Sequence, residues 1–503
     1  MANWHVDEIE DILGLEDQDK GLGKGKREDV QNARILAFLL RRRLTRSIPH
    51  SATKKIRSQL VAEKNFAKRL ARRLIVQAKR GKDVDYDTAA LRKVLVSHQK
   101  SSMLLDSFVK NRSRRWVPMV QRLRARERSS VEVKDFSFLA YPNKTVKLLR
   151  DIAEQEATIL SSQIHFLDKE CLDIGAWLIM AAMRQDMIPI FTGGAISGEL
   201  IKVISALEMS SALRMSLPST DPQRGPSEVW AFPLRSRRPA GSSTSTTMFL
   251  DPQDAEEVAT DLCEAISAWL NECAGQSLNL DGRRNVMQLV TETLDNAERH
   301  SRPEYENDGD WMMTGFMSVS GPESHRRFAC QIALLSVGSP ISETVRHCDT
   351  KTAKKMEEYV GSHIKSYRQF RHADQHLRTI YALQDFVSRD RNASESSRGG
   401  TGFSDIIRVF ADLSGHENPD VFARLAVVSG HTCLHLSRDD CDLAVTRSIG
   451  NPFNIWLNDE HDHAKQPREG CIVELEHELK GTLVTMCFEF DPDYLERTHD
   501  GKY

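Results

Sequence analysis

The stretch "ETLDNAERHS" (292–301) places Glu292, Asp295, Asn296, Arg299 and His300 at spacings of three and four residues, which on an α-helix is one face. The opposite face reads Val286, Leu289, Val290, Leu294 and Ala297, an apolar stripe suited to a core. Glu292 and Asn296, one turn apart, can orient a water and lend an oxygen to Mg2+, which takes few protein ligands and keeps several waters. A solvated helix face has the same pattern, so the helix alone does not choose. A second candidate is "RGGTGF" (398–403), whose Gly399, Gly400 and Gly402 immediately precede a helical stretch. Free N–H groups and the positive helix end there can hold phosphate oxygens. Gly-rich turns before helices are also ordinary punctuation.

The elements that must position these residues form a second half of α/β pattern, from about 248 to 492. Two helices (254–273 and 281–300) lead into strands "WMMTGFMSV" and "RFACQIALLSV". A polar helical stretch (342–391) follows, then the glycine loop with its helix. Strands "ARLAVVS", "HTCLHLS", "CIVELEH" and "GTLVTMCFEF" close the pattern, the last alternating as a half-buried strand does. Upstream, "FSFLAY", "QIHFL" and "IPIFTG" read as strands alternating with helices, a small α/β domain over 136–216. The Pro-, Ser- and Gly-rich 217–247 reads as a linker, with "EVWAFPL" a candidate edge strand.

Residues 1–135 read as a basic all-helical domain after a loose polar start. Between Arg41 and Arg128 there are 26 Lys/Arg against 6 Asp/Glu, about +20, so the remainder of a chain of net charge −2 carries about −22. Such helices suit phosphate backbones, an acidic protein surface or an anionic membrane. The few aromatics there (Phe66, Tyr86, Phe108, Trp116) argue against base stacking as the main mode. Nine scattered cysteines without a CxxC pair fit reduced thiols. The acidic N-terminus lacks signal-peptide character, and "IGAWLIMAAM" is about half of a membrane span. The expected location is the cytoplasm. His461 and His463 ("NDEHDHAKQ") sit in a polar loop at a spacing poor for metal binding.

The order of the pieces resembles the GHKL ATP-binding superfamily over about 250–492. The pieces are the "ETLDNAERHS" helix, strand "IALLSVGSPI", a long polar insert, the "RGGTGF" loop with its helix, and a final "GTLV" strand. The fold implied is an α/β sandwich with helices on a mixed sheet, and the cofactors implied are ATP and Mg2+. The resemblance gives Glu292 the role of activating water and Asn296 that of the Mg2+ ligand, with Asp295 as their acidic neighbour. Arg398, Gly399, Gly400, Thr401, Gly402 and Phe403 match the phosphate loop, and Gly481 and Thr482 the strand whose threonine helps hold adenine. Residues 342–398 correspond to the lid over the nucleotide. Where the family has Asp-x-Gly-x-Gly, with the aspartate accepting from the adenine amino group, this chain has Ser336-Val337-Gly338-Ser339-Pro340. A serine accepts without the charge that roughly doubles such a bond. Losing about 1–2 kcal/mol there weakens binding by about tenfold or more.

The 136–216 segment resembles a STAS-type domain, a protein-contact module. Together these features imply a Mg2+-dependent ATPase switch, with DNA or RNA on the basic helices (41–128), a protein partner on the STAS-like domain, and a homodimer by analogy. One rival is a protein kinase of histidine-kinase or anti-sigma type, although His98 is the only helical phosphoacceptor candidate upstream of the ATP module and its context is wrong. The other is a catalytically dead nucleotide-sensing scaffold, for which Ser336 is the best argument.

Overall fold

The computed structural model describes residues 53–82, 102–109, 129–158, 162–187, 191–217, 228–237, 254–275, 277–300, 310–320, 327–384, 423–437, 456–460 and 462–490, with isolated positions between them. Helix α1 (Lys54–Lys79) buries Leu74 and Ala78 and exposes Lys54, Arg57, Lys68, Arg69, Arg72, Arg73 and Lys79. Helix α2 (Met103–Phe108) is capped by Ser102, whose hydroxyl accepts from the Leu105 N–H. Near it, Arg112 makes a buried two-bond ion pair with Glu156, at 2.7 and 3.0 Å.

A parallel-sheet unit follows: β1 (Ser129–Val133), α3 (Pro142–Thr158), β2 (Ser162–Phe166), α4 (Ile174–Asp186), β3 (Phe191–Ala195) and α5 (Gly198–Ala206). Its strands lie in the order β1-β2-β3. The first strand is "SSVEV", inside the segment expected to be all helical, and "FSFLAY" is a turn. Asp135 adopts φ 59°, a left-handed conformation that ends an extended run. Beyond it, side chains take the backbone donors that a neighbouring strand would use. Asp168 accepts from the N–H of Asp135 and Phe136, Thr145 from Ser137, and Asp173 from Phe138.

The second sheet has five strands: β4 (Glu228–Arg237), β5 (Asp310–Ser320), β6 (Arg327–Val337), β7 (Ala423–Ser437) and β8 (Ile472–Phe490), ordered β4-β5-β6-β8-β7. Every pairing is antiparallel, so the expected mixed sheet is corrected. Part of the expected linker is the edge strand β4, whose apolar Phe232 and Leu234 are buried. The four short strands read near the C-terminus are two long ones. Gly430 (φ 63°) and Gly481 (φ 123°) let β7 and β8 bend without ending.

Helices α6 (Ala255–Ala274) and α7 (Leu280–His300) precede β5, while α8 (Ile341–Thr344), α9 (Thr350–His363) and α10 (Ala373–Ala382) come between β6 and β7. Helix α6 is capped by Asp254 and ends at Gly275 in the left-handed conformation. Alternation sends Met313, Leu334, Val427 and Val484 into one core with Leu262, Leu294, Tyr359 and Ile380 from α6, α7, α9 and α10. The described part of the 342–398 insert is therefore packed into that core. The alternate residues, among them Phe316, Leu335, Val428 and Leu483, meet α4 and the parallel-sheet unit in a second core. The 483–488 part of β8 is accordingly buried on both faces, not half-buried, because α4 and the parallel-sheet unit cover the side expected to meet water.

Helix α4 reaches the sheet through its first turn. The Asp173 carboxylate accepts from the N–H of Phe138 (2.6 Å) and Gly175 (2.8 Å) and from the Thr485 hydroxyl (2.6 Å). Burial raises its pKa even so. Gln331 accepts from the Ile174 N–H and donates to the Cys171 carbonyl. A Cβ at Gly175 would lie 2.6 Å from that of Thr485, so only glycine admits this approach.

Candidate functional site

On the face covered by α6 and α7, cross-strand rows run through β5, β6, β8 and β7. One row is Met313, Leu334, Val484 and Val427, all apolar and buried. The next row out is Trp311, Ser336, Thr482 and Ser429. Three hydroxyls thus replace apolar side chains where the sheet ends. Two of the sequence-predicted residues, Ser336 and Thr482, are direct neighbours here. The sequence reading missed Ser429, because its place is set by strand register rather than by local spacing.

The hydrogen bonds fix the polarity of this row. The Ser429 hydroxyl donates to the Gly481 carbonyl (3.0 Å) and accepts from the Ile341 N–H (2.8 Å). Its 3.0 Å contact with Thr482 Oγ1 therefore takes the Thr482 proton. That leaves the Thr482 oxygen, which is only partly buried, with acceptor capacity alone toward a ligand. Gly481 serves the backbone: a Cβ there would stand 2.1 Å from the Ser336 carbonyl oxygen.

Behind the row, Ser342 Oγ and Gln375 Oε1 are buried with no hydrogen-bond partner. Gly430 joins their surroundings, since a Cβ there would meet Pro340 at 3.2 Å and Gln375 Oε1 at 3.3 Å. Unpaired buried polar atoms are costly unless something completes them. An acceptor-only hydroxyl suits a ligand group that donates, such as an amino group. The Thr482 oxygen is of the type that could accept from the amino group of a nucleotide base. Gly338 lies in the turn between β6 and α8.

Helix α7 reaches the same end of the sheet. Trp311 Nε1–H donates to Glu298 Oε1 at 2.9 Å, and Arg237 pairs with the other carboxylate oxygen. Buried Val286, Leu289, Val290, Leu294 and Ala297 seat the helix as its apolar stripe requires. Asp295 is partly buried. The side chains of Glu292, Asn296, Arg299 and His300 lie outside the described residues. So does the loop Arg398–Phe403, with Gly399, Gly400, Thr401 and Gly402, and so does His461. Beyond that loop, Ile406, Ile407 and Phe410 are helical and buried in the same core. A single Mg2+ ligand of the Asn296 kind is compatible with the finding that the described residues contain no group of three or more His, Cys, Asp or Glu able to hold a metal.

A second polar assembly sits where α10, β7, β8 and α3 meet. The rings of His372 and His431 stack at 3.8 Å with planes 3° apart. Glu474 accepts from the His372 N–H at 2.7 Å. Buried His376 has Nδ1 2.8 Å from Thr432 Oγ1 and Nε2 3.6 Å from Glu474. His477 Nε2 lies 3.1 Å from an Arg150 nitrogen, and Asn143 bonds the backbone of Glu474 and Glu476. Burial lowers the pKa of His372 and His477, and that of His376 to about 4 in spite of the Glu474 carboxylate beside it. His372 and His376 are one helical turn apart, but His431 and His477 are distant in sequence, so their meeting gives no local signal.

No protein-family model matches the chain, and comparison with curated proteins and with solved structures gave no match.

Proposed function

We propose that the chain is a nucleotide-operated switch of the GHKL type, binding ATP with Mg2+ at the polar end of the five-stranded sheet. The observation that carries this reading is the row Ser336–Thr482–Ser429, which ends the helix-covered face beside the last turns of α7. Ser336 and Thr482 would hold the base edge and Asn296 would bind the metal. Glu292 would position a water, while Gly399, Gly400, Thr401 and Gly402 would surround the phosphates. Bound ATP supplies a transferable phosphoryl group, and Mg2+ neutralises charge on its oxygens.

Helices α9 and α10, within the 342–398 insert, are built into the core, so a lid would not comprise the whole insert. Helix α1, with seven exposed Lys/Arg among its described side chains, supports nucleic acid as the partner reached by the switch, through its phosphates. Among the described residues no helix is long and apolar enough to cross a membrane.

Calorimetric titration of ATP with Mg2+ into the wild type, Asn296→Ala and Ser336→Asp tests this reading. Micromolar binding is expected for the wild type, with loss in Asn296→Ala. Ser336→Asp restores a charged acceptor and is expected to tighten binding about tenfold. No binding by all three proteins would overturn the reading and favour the scaffold alternative.

A further inference from the structure

The bend in β7 and β8 throws residues out of the ladder. Thr432 pairs with Glu474 and Gly430 with Leu479, so His431 stands alone opposite four residues, 475–478. That irregular stretch carries His477, and the start of α10 and the flank of α3 close over it. Three parts of the molecule therefore meet on four imidazoles.

The bonds settle which nitrogens hold protons. A guanidinium only donates, so His477 Nε2 must accept from Arg150 and is unprotonated. A carbonyl only accepts, so His431 Nδ1 donates to the Leu475 oxygen at 2.9 Å and leaves Nε2 as its basic site. A proton on His477 would remove the acceptor and set a cation against Arg150. Protons on both His372 and His431 would face two cations across the 3.8 Å stack.

The surrounding acids are already engaged. Glu154 on α3 pairs with Arg150 at 2.7 Å, and Glu474 on β8 is bound by the His372 N–H. Asp151 on α3 is partly buried, which raises its pKa and makes it a weaker counterion in acid. His372 also faces Asp374 and Arg371 from its own segment, His376 faces His372, His431 and the Glu474 carboxylate, whose charge favours its protonated ring and opposes release, and His477 has Glu476 beside it.

We propose that His372, His376 and His477, packed around the His431 ring, form a proton-operated clasp. It holds α3 and the start of α10 onto the β7–β8 pair at neutral pH and releases them in mild acid. The direction follows from linkage. A histidine whose pKa is lower folded than unfolded contributes fully above the unfolded value of about 6.5. That contribution is lost as pH falls toward the folded value, which for His376 is about 4.

Hydrogen exchange on the full chain at pH 7.5 and pH 5.5, corrected for intrinsic rates, reads the clasp at residues 143–154 and 472–479. The wild type is expected to lose protection there by more than about tenfold in acid. In His477→Gln, which keeps an acceptor for Arg150 but takes no proton, and in the His372→Gln/His431→Gln pair, the loss should be smaller than in the wild type, with His376 still contributing in both. Equal losses in wild type and variants, or none in the wild type, would overturn the proposal. Should the variants misfold, a proton NMR titration of the wild-type histidines decides. His372 and His477 titrating below the ordinary histidine value of about 6.5 support the clasp, and values at or above it overturn it.

Discussion

The two faces of the five-stranded sheet are covered in different ways. Toward the parallel-sheet unit, the polar atoms of the junction are paired: Asp173 answers three donors, and Gln331 both donates and accepts. Toward α8 and α10, the sheet ends in hydroxyls, and Ser342 Oγ and Gln375 Oε1 have no partner. A closed polar network rigidifies a joint, whereas an open one is tolerated where a ligand or water completes it. The contrast separates a structural seam from a working edge.

Asp173→Ala should have the largest effect, because it leaves two backbone N–H groups and the Thr485 hydroxyl unanswered inside the seam. A loss of about 3–5 kcal/mol in denaturant unfolding is expected. A loss under about 1 kcal/mol would mean that the seam does not depend on this carboxylate.

Gly481→Ala follows. Its φ of 123° and the 2.1 Å approach to the Ser336 oxygen require β6 and β8 to separate at the working edge. About 2–3 kcal/mol should be lost in the same assay, together with nucleotide binding if the row is the base site. Stability unchanged within about 0.5 kcal/mol would show that the bend relaxes freely.

The smallest stability change is expected for Ser429→Ala, about 1–2 kcal/mol, from the stranded Ile341 N–H. Here the comparison sharpens. The same substitution frees the Thr482 proton, so nucleotide affinity should change by more than the stability does. Parallel calorimetry and thermal melts on this variant check that ratio, and equal changes would make Ser429 a strand-end brace only.

Helix positions were readable because amphipathic spacing is local. The stripe Val286–Ala297 and the runs in 254–273 appear in the sequence as they do in the fold. Strand β1 was missed because the aromatic run after it outweighs "SSVEV" in strand propensity, while Asp135, Asp168 and Asp173 decide its conformation from outside. The double burial of β8 was hidden for a related reason. Alternating residues of one strand say how many faces are apolar, but not that a helix some 300 residues upstream covers the second. At the working edge, Ser336 and Thr482 could be named separately, whereas Ser429 and the histidine joint depend on register and on the Gly430 bend.

The seam also sets an order of events at the ribosome. Asp173 and Thr485 are 312 residues apart, and synthesis proceeds at about 5–20 residues per second. The apolar flank of α4 must therefore wait roughly 15–60 s after it is made for the strand that covers it. During that interval the nascent parallel-sheet unit presents a sticky surface, and chaperone occupancy on ribosome-bound chains should fall only once β8 has emerged.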